Sequence, residues 1–245
     1  MICFSELYCE IQSIYNDCKK YKIFSDCRLA EYFTSKSSVI SWHNYKSGIS
    51  KRNYLQIFRD LVSTRQYTYQ FSDSSMIQYY YEFNNNILQK AKLAYFPIPS
   101  ICNETCQQDL LDYIENYEYD ESEAYELLEQ NSSLTNTSHI RIDYDKNVTS
   151  HDICEVQIDS IKEIRIPCEV LINPVYFFIF ILKCKTYRNP KYADIYKKMQ
   201  TDGFIKNKIN IYKKNSLKIE SFISDNLYIT FLSDWLSCYM IKVFL

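Results

Sequence analysis

Six polar residues in two neighbouring runs of the chain have side chains that could do chemistry: His139, Arg141, Asp143, His151, Glu155 and Gln157. Arginine can grip a phosphate through two parallel hydrogen bonds, and histidine titrates near neutral pH. An imidazole, a guanidinium and a carboxylate on one surface can therefore serve acid–base or phosphate chemistry. In the run H-I-R-I-D-Y the three polar residues fall at every second position, which places them on one face of a strand.

Two interpretations of this grouping follow from the residues. In the first it is a site, with the catalytic residues His139, Arg141, Asp143 and His151 and the binding residues Glu155 and Gln157. In the second it is an ordinary solvent-facing strand on which Arg141 and Asp143 form an ion pair. Alternation alone produces such a face on any exposed sheet, so the pattern is compatible with both.

The elements that must position these residues are two strands and a helix. Alternation predicts strands over residues 139–144 and 153–158, paired across the loop between them. Asn173 followed by Pro174 is a helix N-cap and a first helical position. The helix that begins there is apolar on nearly every side through residues 176–182, so we expect it to lie buried on the sheet.

A β-meander is predicted upstream, over residues 67–96. Three alternating runs are separated by the short turns Asp73–Ser75 and Asn84–Asn86, so the runs must be antiparallel neighbours. One face of the second and third runs is polar and carries Gln78, Tyr80, Glu82, Lys90 and Lys92. The other face is apolar and aromatic, with Ile77, Tyr79, Tyr81, Phe83, Ala91, Leu93 and Tyr95.

Helical periodicity predicts further helices at 4–18, at about 51–64, within the acidic segment 104–130, and after Asn189. Residues 39–43 are interpreted as one more strand. No linker or internal repeat divides the chain, and its apolar C-terminal end is expected to pack back on the body.

We therefore predict a single α+β domain over residues 1–245. Its sheet is mainly antiparallel and is made of the meander at about 67–96 and the strands at about 139–166. Helices pack on this sheet, and the main one starts at Asn173.

The composition excludes several kinds of site. Only 2 of the 245 residues are glycine, so there is no glycine-rich phosphate loop, and the chain contains neither an HExxH motif nor a nucleophile elbow. The 10 cysteines show no paired C-x-x-C spacing. Cys102 and Cys106 stand four apart, without a second pair or a histidine to complete a zinc set. We expect no cofactor and no metal.

The charges are unevenly distributed, although the net charge is only −2. Residues 93–140 contain no lysine or arginine and many carboxylates, whereas the C-terminal segment from 183 is basic. Such asymmetry can mark a nucleic-acid or partner surface, but the favoured interpretation is two solvated faces that partly neutralise each other. The run Lys206–Lys214 mixes cations with a tyrosine, as nucleic-acid surfaces do, and is as well explained as a solvated strand or loop.

The membrane is not an expected partner. The longest strongly apolar run, residues 175–182, is far shorter than the roughly 20 residues that span a bilayer. The first residues lack the basic and apolar regions of a secretory signal. These features favour a cytoplasmic protein with reduced cysteines.

Four runs together resemble an uncharacterised bacterial family known only as a domain of unknown function. They are Y-T-Y-Q-F-S-D-S-S-M-I-Q-Y-Y-Y-E-F, K-A-K-L-A-Y-F-P-I-P, H-I-R-I-D-Y-D, and I-R-I-P followed by an apolar helix. They cover about residues 65–185 in the family's order. Members of that family usually carry an H-x-H-like pair on the strand after the R-x-D strand, a layout distantly similar to that of small bacterial ribonuclease-type toxins.

This chain departs from the family pattern at that pair, since Glu155 and Gln157 stand where histidines are expected. The resemblance implies a toxin-type, phage-defence or mobile-element protein. The departure favours a non-enzymatic member that acts by contact with a partner protein. The alternative is a ribonuclease-like toxin that uses His139, Arg141, Asp143 and His151.

Overall fold

The computed structural model describes residues 3–46, 53–101, 134–135, 138–158, 165–168, 170–187, 189–212 and 217–218. The predicted acidic helices at 104–130 lie outside these residues. So do Lys213 and Lys214 of the basic run and the apolar segment that follows residue 218.

Thirteen strands occur within the described residues. They are β1 (Phe24–Cys27), β2 (Leu29–Phe33), β3 (Ser37–Trp42), β4 (Tyr69–Phe71), β5 (Met76–Asn84), β6 (Ile87–Phe96), β7 (Ser100–Ile101), β8 (Leu134–Thr135), β9 (Ile140–Asp145), β10 (Cys154–Ile158), β11 (Arg165–Pro167), β12 (Val170–Leu171) and β13 (Leu217–Lys218). β7 pairs with β8 and β12 with β13, and the other nine strands form one antiparallel sheet.

β5 and β6 lie at the centre of this sheet. β6 pairs with β5 on one side and with β9 on the other, and the sheet continues through β10 to β11. On its other side β5 pairs with β4 near its first residues and with β3 near its last. β1 pairs with β4 and β2 pairs with β3, so these two successive strands form the first edge of the sheet.

Five helices are described: α1 (Phe4–Cys18), α2 (Tyr54–Ser63), α3 (Pro174–Thr186), α4 (Pro190–Thr201) and α5 (Phe204–Tyr212). A 3-10 turn, Lys19–Tyr21, follows α1. Helices α1, α3, α4 and α5 share one apolar cluster with Tyr79, Leu93 and Ile142 of the sheet. Helix α2 packs at one end of the opposite face, against Met76 and Phe96. The predicted α+β fold, with an antiparallel sheet packed by helices, is confirmed.

Helix α3 is the predicted main helix, and it is confirmed. The Asn173 side chain caps it by accepting hydrogen bonds from the backbone N–H groups of Val175 at 2.9 Å and Tyr176 at 3.1 Å. Phe178 is fully buried in the cluster that α3 shares with the sheet. Its ring centroid lies 5.6 Å from that of Phe24 on β1.

A buried lysine ties the last turn of α3 to the turn between β4 and β5. Lys185 Nζ lies 2.5 Å from Asp73 Oδ2 and 2.7 Å from Ser75 Oγ. Burial lowers the pKa of Lys185, while Asp73 opposes that shift. Burial would by itself raise the pKa of Asp73, but the Lys185 ammonium and the Ser75 hydrogen bonds hold it below its usual value.

Two regions differ from the sequence-based expectation. Residues 24–33 form β1 and β2, which the mixed pattern did not predict, because much of this edge is exposed and shows no clean alternation. Residues 204–212 form a helix, so the solvated strand or loop expected for the basic run is wrong over its described part. Phe204, Ile205 and Lys208 are buried, and this helical spacing packs α5 on the body.

Phe178→Ala is expected to lower the free energy of unfolding by about 3–5 kcal/mol, because truncation of a fully buried ring leaves a cavity. Urea denaturation followed by circular dichroism measures the loss. Tyr187→Ala changes an exposed ring at the end of the same helix and should cost less than about 1 kcal/mol. Similar losses in the two variants would contradict the burial of α3 on the sheet.

Asp73→Asn should cost about 3–5 kcal/mol at neutral pH, because it leaves the Lys185 ammonium buried without a counter-charge. The double variant Asp73→Asn/Lys185→Met is expected to recover most of that loss. In the wild-type protein the stabilisation by Asp73 should be present at neutral pH and decline below about pH 4, because the folded-state pKa of this carboxyl is depressed. A single variant as stable as the wild type would rule out this ion pair as a stabilising contact.

Candidate functional site

The register of the central strands gathers polar side chains into two adjacent rows across one face of the sheet. One row contains Ala94, Arg141, Gln157 and Arg165, and the next contains Lys92, Asp143, Glu155 and Pro167. Because side chains alternate along each strand, both rows lie on the face that also carries α2. Four of the six candidate residues are therefore brought together, which is the arrangement that their spacing predicts.

These side chains bind one another in a continuous network. Arg141 Nε donates to Asp143 Oδ2 at 2.8 Å, and Arg141 Nη2 donates to Gln157 Oε1 at 2.7 Å. The Gln157 amide donates to Glu155 Oε1, which also accepts from Arg165 Nη1 at 2.6 Å. Two guanidinium groups, two carboxylates and one amide thus bond to each other across three strands.

Glu155 is the buried end of this network, and its side chain is only 1% exposed. Its second oxygen, Oε2, has no hydrogen-bond partner and lies 3.5 Å from His151 Nδ1. His151 belongs to the loop before β10; its side chain is 34% exposed, and Nδ1 lies 3.0 Å from the Asp152 carbonyl oxygen. A buried carboxylate behind a partly exposed imidazole is an arrangement that can orient a general base.

His139 takes up a different position. It precedes the first residue of β9 and is 5% exposed. Its ring stacks on that of Phe96, with centroids 4.7 Å apart and an interplanar angle of 22°. Phe96 belongs to the apolar cluster under α2, so the His139 imidazole packs in the protein interior.

A cleft of about 420 Å³ lies between α2 and the polar face of the sheet. Strands β5, β6 and β9 supply one side of it, and α2 together with the residues that end and follow β3 supply the other. The lining side chains with distinctive chemistry are Trp42, Tyr45, Lys46, Asp60, Tyr80, Lys92 and Arg141. Arg141 therefore belongs both to the hydrogen-bonded network and to the wall of the cleft.

One buried glutamine holds the wall formed by residues 42–46. Gln66 Oε1 accepts from Trp42 Nε1 and from the backbone N–H of Lys46, both at 2.9 Å. Gln66 Nε2 donates to the Asn44 carbonyl oxygen at 2.8 Å. These three bonds join residues 42–46 to the segment that follows α2.

The cleft is cationic and aromatic. Lys46, Lys92 and Arg141 line it, with Asp60 as an acidic neighbour. The rings of Tyr45 and Tyr80 stack with centroids 4.9 Å apart. Burial raises the pKa of both phenols, helped for Tyr80 by its hydrogen bond to the Glu82 carboxylate, so both tyrosines are neutral at physiological pH.

The basic run Lys206–Lys214, a candidate nucleic-acid contact, forms some of its bonds within the protein. The buried Lys208 side chain pairs with Asp17 at 2.6 Å and donates to Ser13 Oγ at 2.8 Å, whereas Lys206 is exposed. In the described ranges, no cluster of three or more histidine, cysteine or acidic side chains could hold a metal ion. A helix long and apolar enough to cross a bilayer is likewise missing from those ranges.

Sequence reasoning identified the polar face but missed the cleft. The side of the cleft that the sheet forms could have been predicted, because Tyr80, Lys92 and Arg141 all lie on the predicted polar faces of strands. The wall at residues 42–46 and the Gln66 that holds it carry no motif. Their role depends on long-range packing between α2 and the sheet, for which the sequence gives no signal.

The family described as "Uncharacterized conserved protein (DUF2290)" matches residues 26–226, which include every residue of the polar network and of the cleft. No curated protein and no solved structure matches the chain. The resemblance to an uncharacterised family is thereby confirmed, and the distant likeness to small toxins stays a prediction. Since the match spans well over half of the 245 residues, the chain belongs to the uncharacterised conserved protein family DUF2290.

Proposed function

We propose that the protein is a non-enzymatic interaction component of a bacterial toxin-type, phage-defence or mobile-element system, and that it acts by binding a partner protein. One observation carries the non-enzymatic part. Arg141, Asp143, Glu155 and Gln157 are hydrogen-bonded to one another in a single network. A catalytic group must reach a substrate, and these groups are already bonded within the protein.

The cellular setting is argued from the family resemblance and from the departure at two positions. Glu155 and Gln157 stand where the family resemblance leads us to expect histidines. Here they link Arg141 to Arg165 across β10. In this chain the two side chains therefore form hydrogen bonds within the sheet surface. This role fits a family member that acts by binding a partner protein.

A surface suited to protein contact lies at the first edge of the sheet. β2 pairs with β3, and among the described residues no strand pairs with its other side. Phe33 is 64% exposed and Tyr32 39% exposed on this strand. An open strand edge with exposed aromatic side chains can bind an extended segment of another polypeptide. We assign the partner contact to this edge.

Phe33→Glu is expected to abolish recovery of the partner protein in affinity purification from cells that carry the locus. It should also abolish the cellular activity that the locus confers, whether toxicity or phage protection. The reason is that a charge on the edge opposes the pairing of an apolar segment. Tyr187→Glu, which changes an exposed aromatic residue at the end of α3, is the control and should leave both intact. Retention of both properties by Phe33→Glu would contradict the contact at β2.

A ribonuclease-like toxin is the second candidate, and one observation favours it. The buried Glu155 carboxylate lies 3.5 Å from Nδ1 of the partly exposed His151. If this pair is a general base, Arg165 is the cation of the network that lies nearest to it, with Nη1 2.6 Å from Glu155 Oε1. His139 would not take part, because its imidazole is stacked on Phe96 in the interior.

The purified protein is expected to cleave no RNA at micromolar concentration, with or without divalent metal ions. His151→Ala should leave cellular activity intact, because a contact protein does not need a titrating group. His43→Ala, at an exposed histidine beyond the end of β3, is the matched control. Replacement of a general base costs about 10²–10⁴-fold in rate. RNA cleavage that is lost in His151→Ala and kept in His43→Ala would overturn the contact proposal and establish the ribonuclease.

A further inference from the structure

We propose that the cleft between α2 and the polar face of the sheet is a binding site for a mononucleotide. The inference goes beyond the contact function and does not depend on it. It rests on three properties of the cleft: its size, its cations and its aromatic wall. Each of them restricts the class of ligand.

The size points to a small organic molecule. A volume of about 420 Å³ lies at the lower end of the range, roughly 300–1,000 Å³, of typical small-ligand sites. A single inorganic ion would leave most of this space unfilled. A ring system that carries a sugar and one phosphate is a better match.

The cations point to a phosphate. Lys92 lies directly opposite Asp143 in the register, but Asp143 accepts its hydrogen bond from Arg141. Within the described part of the chain, Lys92 therefore has no ion-pair partner, and its ammonium is available to a ligand. Arg141 lies on the neighbouring strand and Lys46 on the opposite wall. Arg141 shares its charge with Asp143, so the two lysine ammonium groups, which lie on opposite walls of the cleft, are the cations best placed for the acceptor oxygens of a phosphate.

The aromatic wall points to a flat ring. Tyr45 stacks on Tyr80 with an interplanar angle of 28°, and Trp42 meets Tyr45 edge-on with centroids 5.1 Å apart. Nucleobases stack on aromatic side chains of this kind with little dependence on sequence. Because both tyrosines are neutral, they do not repel an anion.

The wall is also held in place before any ligand binds. Gln66 fixes Trp42 and Lys46 by hydrogen bonds, and Gln78 Nε2 in turn donates to the Gln66 carbonyl oxygen at 2.6 Å. A site whose groups are already positioned loses less conformational entropy on binding. His151 does not line the cleft. The proposed site therefore binds a mononucleotide and does not cleave it.

Isothermal titration calorimetry of the full chain tests the proposal with the four 5′-nucleoside monophosphates, the four nucleosides and inorganic phosphate. At least one monophosphate is expected to bind saturably at one site per chain. Its nucleoside and inorganic phosphate should each bind at least about tenfold more weakly, because each lacks one of the two recognised groups. Equal affinity for phosphate alone, or no binding of any monophosphate at millimolar concentration, would overturn the proposal.

Two neighbouring lysines supply a matched pair of variants. Lys92→Ala should weaken binding about tenfold, because it removes a cation from the cleft. Lys90→Ala removes the same charge from the same face of β6, but Lys90 pairs with Asp145 at 3.3 Å and does not line the cleft, so the change should stay within about twofold. Tyr45→Ala should weaken binding about tenfold through lost stacking. Equal effects of the two lysine variants, or none from Tyr45→Ala, would place the ligand elsewhere.

Discussion

The two-residue alternation of four adjacent strands is the constraint on which the rest of the structure depends. Tyr79, Leu93, Ile142 and Val156 form one continuous row across β5, β6, β9 and β10. All four are buried beneath the helices, and Tyr79 OH donates to the Pro174 carbonyl oxygen at the start of α3 at 2.8 Å. A shift of one residue in any of these strands would turn its polar side chains into this core. The register is therefore fixed by burial on one face, and the polar face follows from it.

The polar face is divided between two uses. Towards β11 its side chains bond to one another, so Arg141, Asp143 and Glu155 act as links within the sheet. Towards β3, where α2 stands over the sheet, the same face opens into the cationic and aromatic cleft. Arg141 lies at the boundary and belongs to both. This position allows one residue of the R-x-D strand to link neighbouring strands and to face the proposed ligand.

Much of this arrangement could be predicted from the sequence, because it depends on local patterns. Strict alternation predicted the meander and the opposite faces on which Tyr79 and Lys92 lie. The Asn173–Pro174 pair predicted the start of α3. The arrangement of the candidate site was only partly predictable. Spacing placed His139 with Arg141 and Asp143, but could not show that Phe96 and the α2 cluster would enclose its imidazole. The wall at residues 42–46 depends on Gln66, whose hydrogen bonds link segments with no shared periodicity. The short strands β1 and β2 were missed because an exposed edge needs no alternating pattern.

The central claim is that the polar groups of the sheet bind one another, and a double-mutant cycle on Arg141 and Gln157 tests it most directly. The two residues lie on neighbouring strands and meet through a 2.7 Å hydrogen bond. The free energies of unfolding of Arg141→Ala, Gln157→Ala and the double variant are measured against the wild type. We expect a coupling energy of about 0.5–3 kcal/mol, as found for residues that share one network. Losses that add to within about 0.3 kcal/mol would show that the two side chains act independently, and would contradict the account.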